Sequence, residues 1–173
     1  MHGLKLREAN IIQIVRESVA RLSQHDNIEI NIKSFLEDET VWIDQEQIVS
    51  VFYELVKNAV ESMPDGGALI IMLEGDEREV LITLADKGSG IAEENMPLLF
   101  TPFFTTKAIG EGTGLALPLA YAAIKAHSGS ISIESKTDPN KGPTGTTVKV
   151  FLPRRQSFQE NQGKLILHEE EGE

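Results

Sequence analysis

Read at 100° per residue, the segment from Gln45 to about Met63 gathers Glu54, Lys57, Asn58 and Glu61 within about 100° of one another, and sets Phe52, Leu55, Ala59 and Met63 on the other side. Two carboxylates, a carboxamide and an amine in one row can hold a hard cation and meet phosphate oxygens. An ordinary solvated helix face would carry the same residues. Asp86-Lys87-Gly88-Ser89-Gly90 directly follows an apolar run. An acidic side chain there can face a pocket from a strand end while the glycines let a ligand approach the backbone; a plain turn is the alternative. Gly110-Glu111-Gly112-Thr113-Gly114 precedes an apolar segment from Leu115, so backbone N–H groups and the positive end of a helix can meet an anion, unless the stretch is a flexible linker. It is neither a P-loop, since no G-K-[ST] follows, nor a clean G-x-G-x-x-G fingerprint. Three phenylalanines in Phe100-Thr101-Pro102-Phe103-Phe104-Thr105-Thr106-Lys107 suit a mobile lid with an apolar anchor. A core strand or short helix is the other reading, and Pro102 disfavours a regular strand. Gly145-Thr146-Thr147 opens the last apolar run and would serve equally well in a hairpin turn.

These residues need a scaffold. Ile11, Ile12, Val15, Val19 and Leu22 recur at helical spacing and predict an amphipathic helix from Ala9 to Ser23. Asn27 to Ser34 alternates strictly, putting Ile28, Ile30 and Ile32 on one strand face, and a short strand follows at Val41 to Ile43. Asp44 with Gln47 three residues on reads as a capping box for the long helix. Pro64-Asp65-Gly66-Gly67 forces a turn, after which Ala68–Glu74 and Glu79–Ala85 read as a β-hairpin. Between Asp86 and Gly114 no period persists, which predicts a long functional loop. Leu115–Ala126 reads as a buried helix, and Ser130–Ser135 and Thr146–Leu152 as closing strands. This order is not the regular alternation of a doubly wound sheet. It predicts an α+β fold, an α/β sandwich with a mixed β-sheet of about five strands and helices packed on one face.

With 173 residues, one domain is expected, residues 1–153, followed by a polar acidic tail over 154–173 that frays. Hydrophobic residues at 40% and charged residues at 25% support a packed core rather than disorder. A net charge of −11 opposes non-specific nucleic-acid binding. The absence of cysteine excludes disulfides, thiolate zinc sites and a thiol nucleophile. No apolar run approaches the roughly 20 residues of a membrane span, and the start lacks a signal-peptide pattern, so a soluble, cytoplasmic piece is expected.

In this order the segments resemble the N, G1, F, G2 and G3 boxes of the GHKL ATPases, and the F box narrows the resemblance to sensor histidine kinases, over roughly Ile48 to Pro153. It implies a Bergerat fold with a long ATP lid loop, and ATP and Mg²⁺ as ligands. Asn58 would ligate the Mg²⁺ on the nucleotide phosphates, with Glu54 as a water-orienting carboxylate, Lys57 reaching phosphate and Glu61 on the same wall. Asp86 would accept the adenine amino group, Gly88 and Gly90 would keep the pocket floor open, Ile91 and Phe100 would join the nucleotide-binding set, and Thr146 would support the base edge. Gly110, Gly112, Thr113, Gly114 and Leu115 would offer backbone N–H groups to the phosphates, and Lys107 would approach the γ-phosphate as the lid closes. Ala116 stands where many members have glycine, and Pro118 falls near the end of the first helical turn.

None of His2, His25, His127 and His168 has the phosphoacceptor context of that family, and His127 reads as structural. The resemblance therefore implies a catalytic domain that binds Mg-ATP and transfers the γ-phosphoryl group to a histidine on a separate dimerisation domain. That histidine would feed a response regulator. The piece itself would be a monomer, and the parent kinase can carry its own membrane anchor. Three other uses share the pocket logic: an ATP-driven clamp of the gyrase or mismatch-repair type, a serine kinase of the anti-sigma type, and a docking module regulated by nucleotide.

Overall fold

The computed structural model describes residues 3–23, 27–102, 104 and 114–155. Strand β1 (Arg7–Asn10) runs into helix α1 (Ile11–Ala20), followed by β2 (Ile28–Ser34), β3 (Thr40–Ile43) and the long helix α2 (Gln45–Glu61). Next come the hairpin strands β4 (Gly67–Gly75) and β5 (Glu79–Asp86), a 3₁₀ turn (Glu93–Leu98), helix α3 (Ala116–Ala126), β6 (Ser130–Lys136) and β7 (Gly145–Pro153). Five strands form a mixed sheet ordered β2-β4-β5-β7-β6, while β1 and β3 pair separately. The β2–β4 pair is parallel and the other pairs of that sheet are antiparallel. This is the expected α+β sandwich.

Strand alternation sets the core face. Leu69, Ile71 and Leu73 of β4, Val80, Ile82 and Leu84 of β5, and Val150 and Leu152 of β7 are all buried, and they pack in one cluster with Phe52, Leu55 and Val56 of α2 and Ile11 and Val15 of α1. Each such side chain contributes roughly 1.5–3 kcal/mol by leaving water. The register pairs Leu69 with Asp86, so Asp86 projects from the same face as the core residues, at the rim of the sheet.

Asp44 caps α2 as the sequence predicts, its carboxylate accepting the Gln47 backbone N–H at 3.3 Å. Two helical expectations need correction. The first helix begins at Ile11 rather than Ala9, because Asn10 accepts the Ile12 and Gln13 N–H groups as an N-cap and Ala9 pairs with Val41 in the β1–β3 ladder. The helix after Leu115 is not buried throughout: Ala120 and Ile124 are its buried residues, whereas Leu119 is 64% and Tyr121 38% exposed. A run of Ala and Leu has no polar side to reveal which face meets solvent.

Arg154, one residue past β7, is almost fully buried. Its Nε donates to the Asp76 carbonyl at 2.6 Å and its Nη1 to the Thr40 carbonyl at 3.0 Å, while its backbone N–H donates to Arg78 O and its carbonyl accepts from Trp42 N–H. The residue thus joins the β4–β5 turn, the start of β3 and the end of β7. Arg154→Ala is expected to lower stability by about 2–3 kcal/mol, since charge-assisted bonds and the packing of the alkyl stem go together. Thr146 lies eight residues back along β7, about 26 Å away at strand rise. Ligand affinity at that end should therefore change less than about threefold, which thermal melts and titrations of the variant will check.

Candidate functional site

Helices α2 and α3 and the sheet edge near Asp86 surround an open cavity of about 1650 Å³. Ordinary ligand pockets hold about 300–1,000 Å³, so the volume is large enough for a nucleoside triphosphate. The hydrophilic row of α2 borders this space: Glu54, Lys57, Asn58 and Glu61 all line it. The first three are half-buried and Glu61 is exposed. Ser62, the C-cap of α2, lines the same wall and was missed by the sequence reading. It lies about 80° from Glu54 on the same helical wheel, between the hydrophilic row and the apolar side, so its place at the margin of the row hid it.

Asp86 stands beside the C-terminal end of α2, within reach of the Ser62 hydroxyl. Its Oδ1 accepts the Gly88 N–H at 2.9 Å and the Thr146 N–H at 3.1 Å, which fixes the carboxyl group against both the following turn and the start of β7. Burial pushes this carboxyl above the usual aspartate range; the N–H groups of Gly88 and Thr146 and the Ser62 hydroxyl pull partly against that shift. A raised carboxyl favours the fold in its neutral form. That contribution is fully present below the unfolded aspartate value and is lost as pH rises through the higher folded one. Stability of the parent relative to Asp86→Asn should therefore increase on acidification from neutrality, and urea midpoints across that range measure it. An unchanged difference would show that burial does not govern the group.

The turn after Asp86 is tied down from three sides. Ser135 Oγ accepts the Ile91 N–H at 2.7 Å and lies 2.9 Å from Thr146 Oγ1, and Thr144 Oγ1 donates to the Gly88 carbonyl at 2.8 Å. Gly90 and Ile91 line the cavity, as do Thr146 and, at the head of α3, Gly114 and Leu115. The two glycines have a packing reason that sequence alone does not reveal. A Cβ on Gly88 would overlap Ser62 Oγ, and Gly90 has φ +81° with the Lys136 carbonyl where a Cβ would sit. Gly88 thus lies behind the cavity wall. Phe100 also stands off the cavity: it packs on the core and stacks on Tyr121 with ring centroids 4.9 Å apart. Lys107, Gly110, Gly112 and Thr113 fall outside the described residues, as do Phe103 and residues 156–173.

No side chain of Leu115 caps α3, so its first-turn N–H groups are not met by an N-cap side chain. Pro118 occupies the third helical position, where no intrahelical bond requires its missing N–H. Among the described residues no group of three or more His, Cys, Asp or Glu side chains could hold a metal by itself. The α2 row offers instead one carboxamide and flanking carboxylates, a set suited to Mg²⁺, which keeps waters and is commonly held by one or two protein groups together with substrate phosphates. A base-reading carboxylate beside the end of α2, with cation and phosphate ligands farther back along that helix and at the head of α3, can bind a nucleoside triphosphate.

Comparison with known proteins agrees with this geometry. Residues 43–156 match the family described as histidine kinase-, DNA gyrase B-, and HSP90-like ATPase. Sporulation kinase A of Bacillus subtilis (strain 168) is 38% identical over 149 residues, covering 84% of this chain and 23% of that protein. The chain thus spans about a quarter of the length of that relative. The catalytic domain of histidine kinase ThkA superposes with a TM-score of 0.76 at 28% identity, covering 87% of this chain and 97% of that one. ThkA in complex with the response regulator protein TrrA gives a TM-score of 0.70 at 25% identity, with 87% and 42% covered.

Proposed function

This chain belongs to the histidine kinase-, DNA gyrase B-, and HSP90-like ATPases as an ATP-binding catalytic domain of the sensor histidine kinase type, and we propose that it passes the γ-phosphoryl group of Mg-ATP to a histidine on a separate dimerisation domain. The observation that supports this most is that Asp86, held by Gly88 and Thr146, and the Asn58 row line one cavity. Asp86 accepts the adenine amino group and Thr146 supports that edge of the base, with Gly90 and Ile91 as its floor. Asn58 and Lys57 meet the phosphate end, Glu54 orients water there, and Glu61 lies at the outer rim. The N–H groups of Gly114 and Leu115 face the phosphates from the head of α3. Mg²⁺, when bound with the nucleotide, neutralises phosphate oxygen charge during transfer. Lys107, Gly110, Gly112 and Thr113 belong to the same phosphate-binding set by family resemblance.

In the transfer the β–γ bridging P–O bond breaks, an N–P bond forms on the acceptor imidazole, and ADP leaves. The phosphohistidine then supplies a response regulator, the kind of protein seen with ThkA. Among the described residues no helix is long and apolar enough to cross a membrane; the cytoplasmic setting is proposed from the ATP substrate and the response-regulator partner. Incubation with γ-labelled ATP and the histidine-bearing domain of its kinase tests the proposal. Acid-labile, base-stable label on that domain is expected. Acid-stable label on serine would move the chain to the anti-sigma type, and no transfer despite nucleotide binding would make it a docking module.

A further inference from the structure

The phosphate end of the cavity is shared between two helices from distant parts of the chain: α2 brings Asn58, and the head of α3 brings Gly114 and Leu115. Apolar packing holds α3 through the buried Ala120 and Ile124, with Leu117 and Ala123 half-buried against the same core. At the far end of both helices a polar junction joins them. His127, the C-cap of α3, is fully buried. Its Nδ1 lies 2.7 Å from the Ala123 carbonyl, which can only accept, so Nδ1 carries the proton. Nε2 is then bare and accepts the backbone N–H of Asp44 at 3.0 Å. Asp44 is the N-cap of α2; its Oδ1 takes the Gln47 N–H and its Oδ2 the Lys5 N–H at 3.0 Å.

We infer that His127 is a positioning residue for the phosphate end: through Asp44 it locks the start of α2 to the end of α3 and so sets the spacing between Asn58 and the head of α3. The lever arms are long. Asn58 lies 14 residues from Asp44, about 21 Å along the helix, and Ala116 lies 11 residues from His127, about 17 Å. A 5° tilt at the junction would therefore move Asn58 by about 1.8 Å, and about 1 Å of misplacement is enough to damage catalysis on the order of 100-fold. The base-reading group touches α2 through the Ser62 hydroxyl, but its carboxylate is held by the backbone N–H groups of Gly88 and Thr146 on the sheet side. Disturbing the junction should therefore separate the two ends of the nucleotide.

The inference rests on the proposed Mg-ATP reading, and the test distinguishes the two. Full-length parent, His127→Gln and His127→Asn are titrated with adenosine by NMR chemical shift and with a non-hydrolysable ATP analogue plus Mg²⁺ by calorimetry. Gln can present an acceptor toward Asp44, whereas Asn can meet only the Ala123 carbonyl. The Asn variant is expected to lose at least tenfold of the gain in affinity that the phosphates give, with adenosine affinity kept within about twofold, and Gln to keep that gain within about threefold. Equal losses for adenosine and the ATP analogue, or an intact gain in the Asn variant, would overturn the inference. A parent that binds the ATP analogue no better than adenosine would defeat the functional reading itself, and the inference with it. Should the Asn variant fail to fold, hydrogen exchange at the Asp44 amide of the parent decides. It must slow with the Mg-bound analogue and not with adenosine, and equal exchange in both complexes contradicts the junction's role.

Discussion

Asn58→Ala is expected to erase the Mg²⁺ dependence of nucleotide binding and to slow phosphoryl transfer by about 10³-fold or more. Asn58 is the half-buried carboxamide in the α2 row, between two carboxylates that also line the cavity. Metal-assisted stabilisation of a transferring phosphoryl group is worth several kcal/mol, and about 4 kcal/mol corresponds to roughly a thousandfold in rate. Titration of the variant with an ATP analogue should give one affinity with or without Mg²⁺, and circular dichroism should show the parent fold. Glu54→Gln provides a contrast: if that residue orients water rather than the metal, Mg²⁺-dependent binding persists while transfer slows. A Mg²⁺ response retained in Asn58→Ala would move the cation to another part of the cavity.

Asp86 is expected to govern which base is bound. Replacing it with Ala leaves the Gly88 and Thr146 N–H groups without their acceptor, so loss of binding alone would be ambiguous. Asp86→Asn keeps an oxygen for those two donors and turns an amide N–H₂ toward the ligand. A 6-amino purine then meets a donor where it needs an acceptor, while a 6-oxo purine gains a partner. The ratio of affinities for ATP and GTP analogues should fall by about 5- to 150-fold, the effect of about 1–3 kcal/mol in one buried hydrogen bond. A variant with the parent's ratio would show that another group reads the base.

The parts of the fold visible in the sequence are those set by local chemistry. Asp44 and Gln47 announce the start of α2 because capping is decided within one turn, and the alternation of Leu69, Ile71 and Leu73 against Val80, Ile82 and Leu84 yields the hairpin. The α2 row was legible for the same reason, since helical geometry alone brings Glu54, Lys57, Asn58 and Glu61 together. What depended on contacts between distant segments was hidden. Ala9 becomes a strand residue only because Val41 lies beside it. His127 looked like a generic buried histidine, and its bond to Asp44 spans 83 positions. Gly88 owes its identity to Ser62, and Phe100 turned to Tyr121 rather than to the cavity; both neighbours arrive through tertiary packing. Arg154 follows the same pattern, with acceptors at Asp76 and Thr40 that no motif would single out.

Calorimetric titration of the chain with a non-hydrolysable ATP analogue, with and without Mg²⁺ and in parallel with the GTP analogue, addresses the central claim most directly. Binding in the micromolar range that prefers adenine and responds to Mg²⁺ is the predicted result. Heat signals that are absent, or that neither distinguish the bases nor change with Mg²⁺, would contradict the assignment of this cavity as a Mg-ATP site.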